Sequence, residues 1–527
     1  MFERLRVLLL ITGAVTLPLF FLPITPADQF LIPKQSLLSF LACITLIIGF
    51  YPVEKLFQNA SKNSLLSALF FLSCIAISII GSTNYHAGLN ELKMWAYLII
   101  LFLTATQINW DICRLGMLMK ISIIVSSIVA ISIILEYFMV IPFYTFPFSL
   151  PSSAGKLYSF FGYRNIAAQY LIVTVIWGFV LTVISTDSKT RIIALTCTLL
   201  SGTALLLTFC RGAIISTVFG LGLFLFYYNA QNIKGFKKIR LIQIVYMLLI
   251  TIVAVLFLSN ALSDGKTSRQ ISTLLERGDS ERFIRWKDSV NMIYTNPIAG
   301  VGLGNYSIVY PMFKTGKWSH HTVYAHNEFL QIAAETGVVG SIGFIVFLII
   351  TFKRSRQQIV DIFEAEEKFL HLAILFSCVA TLVHSIFSYN LHSATSSFFF
   401  FVGLGILCAS KWSVTEKLSF SGNNLTKNII LLSIVVLMAF LGIYGEYKRI
   451  KGHYHFNQAI SSIKNNDNVA SIKHFTKAIK FQPDNFKYHV MISSTYRIIG
   501  NTKLSNIHFQ KANKLSPYHY NSIISNK

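Results

Sequence analysis

The chain has 527 residues, of which 54% are hydrophobic and only 13% charged; a soluble domain carries roughly 25% charged residues. Apolar runs near 20 residues recur along it, which excludes an ordinary soluble fold and makes this an all-α, polytopic helical membrane protein. The net charge of +23 resembles a nucleic-acid signal, but its lysines and arginines lie mostly in short loops and a polar tail, where anionic lipid is their natural partner and no nucleic acid is needed.

Thirteen spans are predicted, near 7–23, 36–52, 65–82, 93–109, 119–138, 166–185, 191–209, 212–229, 241–258, 330–350, 369–388, 393–410 and 428–445. Only Cys210 and Arg211 separate the pair 191–209 and 212–229, so the count is twelve or thirteen. Lipid offers the backbone no hydrogen-bond partner, and these runs are too long for barrel strands, so each is a helix. The first span carries Pro18 and Pro23, lacks a small-residue cleavage site and precedes many others, so it is not a cleavable signal. Short loops rich in lysine and arginine alternate with loops that carry few. This pattern sets the N-terminus in the cytoplasm and exports both the loop 259–329 and everything after residue 445. The seven cysteines lie in or beside spans and form neither a disulfide framework nor a zinc spacing.

Three regions follow: a membrane domain over 1–445, the large polar loop 259–329 within it, and a tail over 446–527. In the loop, Glu281–Asp288 reads as a helix that continues to about Asn296, before Pro297. Arg282 and Arg285, three apart, share a face, with Trp286 beside Arg282 one turn on. Guanidinium groups fit phosphate oxygens bidentately, and a lipid diphosphate head is the obvious multivalent anion at a membrane surface. The competing use is ion pairing with Glu276, Asp279, Glu281 or lipid headgroups. The run Gly300/Gly302/Gly304 follows no strand and precedes no Lys-Ser/Thr, so it is a tight turn holding the loop against the membrane domain, not a phosphate loop. His320, His321 and Glu328 are the residue types that ligate metal, but there is no His-Glu-x-x-His and no carboxylate cluster; neither a metal nor another cofactor is expected. His326, just before the next span, suits a general base near neutral pH, its competing role being that of an interfacial structural histidine. Glu335 lies inside an apolar helix, where a carboxylate is expensive and usually paired or functional. Arg211-Gly212, Arg164-Asn165 and the set His384, Tyr389, Asn390 and His392 belong to the same side and can ring an outward-facing cavity.

The tail is polar, basic and amphipathic. His474, Phe475, Lys477, Ala478 and Pro483 recur 34 residues later as His508, Phe509, Lys511, Ala512 and Pro517. This resembles tetratricopeptide repeats, an α-solenoid-like arrangement. Two to two and a half such units need a neighbour: the membrane domain, a second copy or a partner protein. A small helical cap without binding function is the alternative.

Together, Arg211-Gly212, Arg282-x-x-x-Trp286, Asn296-Pro297-x-x-Gly300-x-Gly302-x-Gly304, His326-Asn327-x-x-Leu330 and Glu335-x-Gly337-x-x-Gly340 resemble the O-antigen ligase/polymerase superfamily of bacterial envelope proteins. Gly162-Tyr163-Arg164-Asn165 and His384-Ser385 fit as well, and the likeness covers about 150–410. The resemblance implies a multi-pass protein of the bacterial inner membrane. It implies glycan transfer from an undecaprenyl-diphosphate carrier, on the periplasmic face, to lipid A-core, to another carrier-linked glycan or to a protein hydroxyl. It assigns Arg211 and Arg282 to the diphosphate, with Arg285 and Arg164 in support, and His326 to the acceptor hydroxyl. Glu335 would position the acceptor or brace the loop, and His384 and His321 would lie at the rim. The tail is a departure from the minimal ligase and suits a periplasmic protein partner. Readings of another class are a lipid-linked glycan transporter and a membrane scaffold; broken half-helices, inverted repeats and charged residues near the bilayer midplane would favour the former.

Overall fold

A computed structural model describes residues 2–22, 30–49, 62–138, 159–230, 280–316, 322–409 and 425–518. Among these residues every regular element is helical. The first five helices are α1 (Phe2–Leu19), α2 (Leu31–Gly49), α3 (Lys62–Ile77), α4 (Tyr85–Thr106) and α5 (Ile112–Tyr137). Then come α6 (Arg164–Ile184), α7 (Ser188–Leu207) and α8 (Arg211–Ala230). The loop contributes α9 (Ser280–Thr295) and the short α10 (Tyr306–Val309); α11 (Glu328–Val360), α12 (Ala365–Ser385) and α13 (Ala394–Cys408) return to the bundle. The chain closes with α14 (Leu425–Lys464), α15 (Asn468–Phe481), α16 (Phe486–Ile498) and α17 (Thr502–Leu515). Eight of the described helices are long and apolar enough to cross a membrane, and α3 and α13 are shorter apolar ones. This is a multi-pass, all-helical membrane protein. The span expected at 241–258 and the histidines His320 and His321 lie outside the described residues.

The bundle centres on α6 and α13, which are buried almost throughout. Between apolar helices in lipid, close packing and polar links hold neighbours together in place of a hydrophobic drive. Both are present. Ser126 of α5 bonds Thr174 of α6 at 2.7 Å and Ser201 of α7 at 2.8 Å. The Trp177 indole N–H donates to Ser377 at 3.0 Å, and Gln169 donates to Ser388 at 2.7 Å. All seven cysteines carry free thiols.

The near-continuous pair around Cys210 resolves into two helices. Phe209 takes a left-handed φ of +51° and breaks α7, and the Cys210 carbonyl then accepts from Ala213 at 3.0 Å to start α8. The expected end of the last span at residue 445 is not a break: α14 runs on for 40 residues, and its polar end forms the first helix of the tail.

That tail is two helical hairpins, the end of α14 with α15, and α16 with α17. The repeated pairs His474-Phe475 and His508-Phe509 both fall in second helices, and the repeated alanines Ala478 and Ala512 are both buried. Each second helix ends two residues before a proline, Pro483 or Pro517, which cannot continue it. Asn466 at φ +58° and the Asp467 N-cap make the first turn; Gly500 and the Asn501 N-cap make the connection before α17. The tail packs back on the membrane domain. Glu446 accepts from Ser36 of α2 at 2.7 Å, and Asn84 before α4 donates to the Leu515 carbonyl at 3.0 Å.

Candidate functional site

The described part of the loop has its own small core. Met292 of α9 packs with Val301, Tyr306, Ile308, Val309, Tyr310, Ala325 and Ala334. Asp288, fully buried, accepts from the Tyr310 hydroxyl at 2.8 Å and from Thr315 at its backbone and hydroxyl. Ser289 bonds the Tyr306 hydroxyl at 2.8 Å. The helix Ser280–Thr295 ends where Asn296-Pro297 requires it to.

The glycine run then locks this unit to α11. Gly337 interrupts that helix with φ +62° and ψ −160°. The break is filled by loop backbone: Val338 donates to the Pro297 carbonyl at 2.8 Å and Val301 donates to Ala334 at 2.9 Å. A Cβ on Gly337 would lie 2.3 Å from the Ile298 oxygen, and one on Gly300 would lie 2.4 Å from the Glu335 carbonyl carbon. Two backbones meet here, and only glycine on both sides allows it. Glu335 completes the lock. It is buried, and its carboxylate accepts from the backbone N–H of Gly304 at 2.9 Å and of Tyr306 at 3.2 Å, and from Gln331 at 2.9 Å. Of the two uses open to Glu335, bracing the loop is the one its bonds serve.

With the loop held, α9 reaches the end of the bundle. Trp286 lies 6.4 Å from the Phe387 ring just beyond α12. A Cβ on Gly212 would lie 3.0 Å from Phe387 and 3.1 Å from the His384 ring, so α8 starts in close contact with the same place. Cys210 reports what gathers there. Burial raises its thiol pKa, while the Ala213 backbone N–H and the charges of Arg282, Arg164 and Arg211 act against the rise. The charges of three guanidinium groups from three separate segments are therefore felt at one turn. Arg282 and Arg164 are half-buried and Arg211 is exposed. Burial likewise raises the Tyr389 phenol, and Arg282 opposes it.

Arg285 is not brought to that turn. It is buried, pairs with Glu281 at 2.9 Å and exerts its charge on Tyr306 and Tyr310. The reason is helical geometry: at about 100° per residue, positions three apart point roughly 60° from each other, enough to face different neighbours. His384 is wholly buried and not on an open rim. Its Nδ1 is 3.0 Å from the Asn390 side-chain oxygen and its Nε2 is 3.7 Å from the Cys210 sulfur.

His326 stands at the N-terminal end of α11, just before the Asn327 cap, whose side chain accepts from Leu330 at 3.1 Å. Its φ of +54° is left-handed, a conformation that non-glycine residues adopt rarely and at a cost. Its ring meets the edge of Tyr389 at 5.2 Å. Tyr389 stacks on Tyr324 at 4.5 Å, and Tyr324 tilts over His392 at 4.9 Å. The imidazole is thus linked to the arginine turn through one tyrosine that Arg282 also influences.

Behind this aromatic stack lies an acidic cluster. His392 is 2.8 Å from Glu328 through Nδ1 and 3.4 Å from Glu91 through Nε2. Burial acts to strip its proton, but the Glu328 and Glu91 carboxylates prevail and push the pKa up to about 10. Glu328 also accepts from the Leu391 backbone at 3.1 Å. Glu328 is thus engaged with His392; no group of three His, Cys, Asp or Glu with metal-holding geometry occurs among the described residues.

Of the residues that carry this arrangement, Cys210, Tyr324 and Glu91 were given no role by the sequence. Glu91 had a signal: it is an acidic residue at the edge of an apolar run. The other two are ordinary residue types, and nothing short of the fold singles them out.

Residues 195–345 match the family described as O-antigen ligase. This segment is similar to an O-antigen ligase family domain. It spans α7 through the first half of α11 and includes Arg211, Arg282, His326 and Glu335. Arg164 and Tyr389 lie outside it. No curated protein matches the chain significantly.

Proposed function

We propose that this protein transfers a glycan from an undecaprenyl-diphosphate carrier to an acceptor hydroxyl at the outer face of the bacterial inner membrane. The reading is supported by the charges of Arg164, Arg211 and Arg282 acting at the Cys210 turn, together with His326 against Tyr389, a residue that Arg282 also influences. A lipid diphosphate leaves with negative charge, and fixed cations beside it lower the barrier by stabilising that charge as it develops. In this reading Arg211, Arg282 and Arg164 hold the diphosphate. His326 takes the proton of the acceptor hydroxyl, which is a poor nucleophile without a base. Glu335 keeps the loop, and hence Arg282, in place. The apolar helices solvate the polyprenyl chain. The N-terminus is cytoplasmic, and the loop and tail are periplasmic. Ligation onto lipid A-core, polymerisation of a carrier-linked glycan and transfer to a protein hydroxyl share this chemistry and differ only in the acceptor.

Purified protein, a labelled undecaprenyl-diphosphate glycan and those three acceptors supplied separately test the proposal. Transfer to one acceptor, lost in Arg282→Gln and in His326→Ala while folding is retained, is the expected result. Transfer that survives both substitutions sinks the assignment. One observation favours a carrier instead: α11 is a broken helix, as in many transporters. Loop backbone rather than an open cavity fills that break, and movement of the labelled donor across a vesicle membrane without acceptor is the result that would revive the idea.

A further inference from the structure

A half-open cleft of about 700 Å³ lies between the tail and the membrane domain, within the ~300–1,000 Å³ typical of ligand sites. One wall is the connection between α15 and α16, Phe481 to Lys487; the other is the start of α4 with Gly304, Ser307 and Val323 of the loop. The walls are joined. Asn84 donates to Leu515, and Nδ1 of His86 is 3.3 Å from the Asp484 carboxylate.

The lining has a definite chemistry. Lys93, Lys448 and Lys487 line it together with one carboxylate, Asp484, which pairs with His86; Lys448 also lies over the Tyr444 ring at 4.8 Å, and Lys93 feels the charge of Glu446. Asn90, Ser307 and Gln482 add neutral hydrogen-bonding groups. A surplus of cations among amides and a hydroxyl suits a ligand that is anionic and rich in hydroxyls. The place matters too. Val323 precedes Tyr324, which stacks on Tyr389 beside His326. Gly304 is bonded to Glu335. An occupant of the cleft therefore touches the loop one residue from the aromatic stack that His326 meets.

We infer that this cleft binds an acidic oligosaccharide segment, the part of the glycan acceptor distant from the reacting hydroxyl. The inference rests on the glycan-transfer reading above and adds to it a substrate class and a role for the tail. Binding the remote part of an acceptor fixes the orientation of its reacting end, a use of binding energy that favours the chemical step.

Full-length protein in detergent, titrated with a fluorescent oligogalacturonate, tests this. The expected result is saturable binding that weakens with salt, with a neutral malto-oligosaccharide of equal length binding far less. Lys448→Gln combined with Lys487→Gln is expected to weaken binding on the order of tenfold, through lost electrostatic complementarity. The same double change at Lys473 and Lys514, exposed lysines outside the cleft, leaves binding unaltered. Equal loss at both pairs, equal affinity for the neutral chain, or displacement by inorganic phosphate as readily as by unlabelled oligogalacturonate overturns the inference; the last result assigns the cleft to a phosphate headgroup. Arg282→Gln separates the two readings. It is expected to bind the probe as wild type does while losing transfer. If it keeps transfer, the assignment of Arg282 fails and the cleft stands on its binding data.

Discussion

The two faces of the Tyr324–Tyr389 stack are built from opposite charges. On one side, Arg164, Arg211 and Arg282 are half-buried or exposed and act on the Cys210 turn, while His326 meets Tyr389. On the other, Glu91 and Glu328 hold His392 in the interior, with Glu335 close by. The buried side has its charges matched: carboxylate to imidazolium, carboxylate to backbone N–H. A buried charge is tolerated only on those terms. The open side instead places arginines toward solvent and adds a left-handed histidine, a backbone conformation that costs stability.

Substitutions can break this contrast. The largest effects on turnover belong to the open side. His326→Ala is expected to lower glycan transfer by about 10²–10⁴-fold, the range for loss of a general base. Arg282→Gln is expected to lower it by about 10²-fold or more, the range for one group that stabilises developing charge. Neither is expected to shift the thermal midpoint much, except in one instructive way. Glycine at 326 relieves the left-handed strain, so His326→Gly is expected to be about 1 kcal/mol more stable than His326→Ala, though equally inactive.

The buried side is expected to behave in reverse. Glu328→Gln leaves an imidazolium without its nearest carboxylate and is expected to cost about 3–5 kcal/mol, read by denaturant unfolding. Gly337→Ala, whose Cβ would lie 2.3 Å from a backbone oxygen, is expected to cost about 3 kcal/mol and to loosen the loop. If either change abolishes transfer without loss of stability, the division of labour between the two faces is wrong.

Two pH effects sharpen the comparison further. The folded pKa of His392 is raised, to about 10. The stability it contributes is therefore complete below the unfolded value near 6.5 and is lost as pH rises through about 10. His508 in the tail is the opposite case: burial, then His489 and Lys511, lower its pKa to about 4. Its contribution is present above about 6.5 and declines as pH falls toward 4, since the unfolded chain takes up the proton first. The tail is thus expected to loosen in acid before the acidic cluster does, measurable by hydrogen exchange. The smallest effect is expected at the exposed His86–Asp484 pair, where Asp484→Asn should change stability by less than about 1 kcal/mol.

The fold class was legible because lipid imposes one rule on every span: an apolar run long enough to cross, with its backbone satisfied internally. That rule operates on local sequence, so the apolar runs correspond closely to the described helices. The helix before Pro297 was legible for the same reason, as were the turns at Asn466 and Asn501, where short-range backbone preference decides. Arg211 and Arg164 stood out as arginines at span ends, and Arg282 as one in the polar loop. Which of them meet was not written in their spacing. The chain alone offered Arg282 and Arg285 as equals on one face, and only packing sent one toward Cys210 and the other to Glu281. It offered Glu335 as catalyst or brace, and only the fold brought the Gly304 and Tyr306 N–H groups to its carboxylate. The glycines at 300 and 337, 37 residues apart, announced turns individually; that they exist for each other is a fact about two backbones in contact. Sequence by itself determined the helices, the polar loop and the residue types available for chemistry, because hydropathy and turn preference act over a few residues. Tertiary structure decided which cations act at one turn, which carboxylates are spent on support and where the tail meets the membrane domain in a cleft, because those depend on contacts between segments tens to hundreds of residues apart.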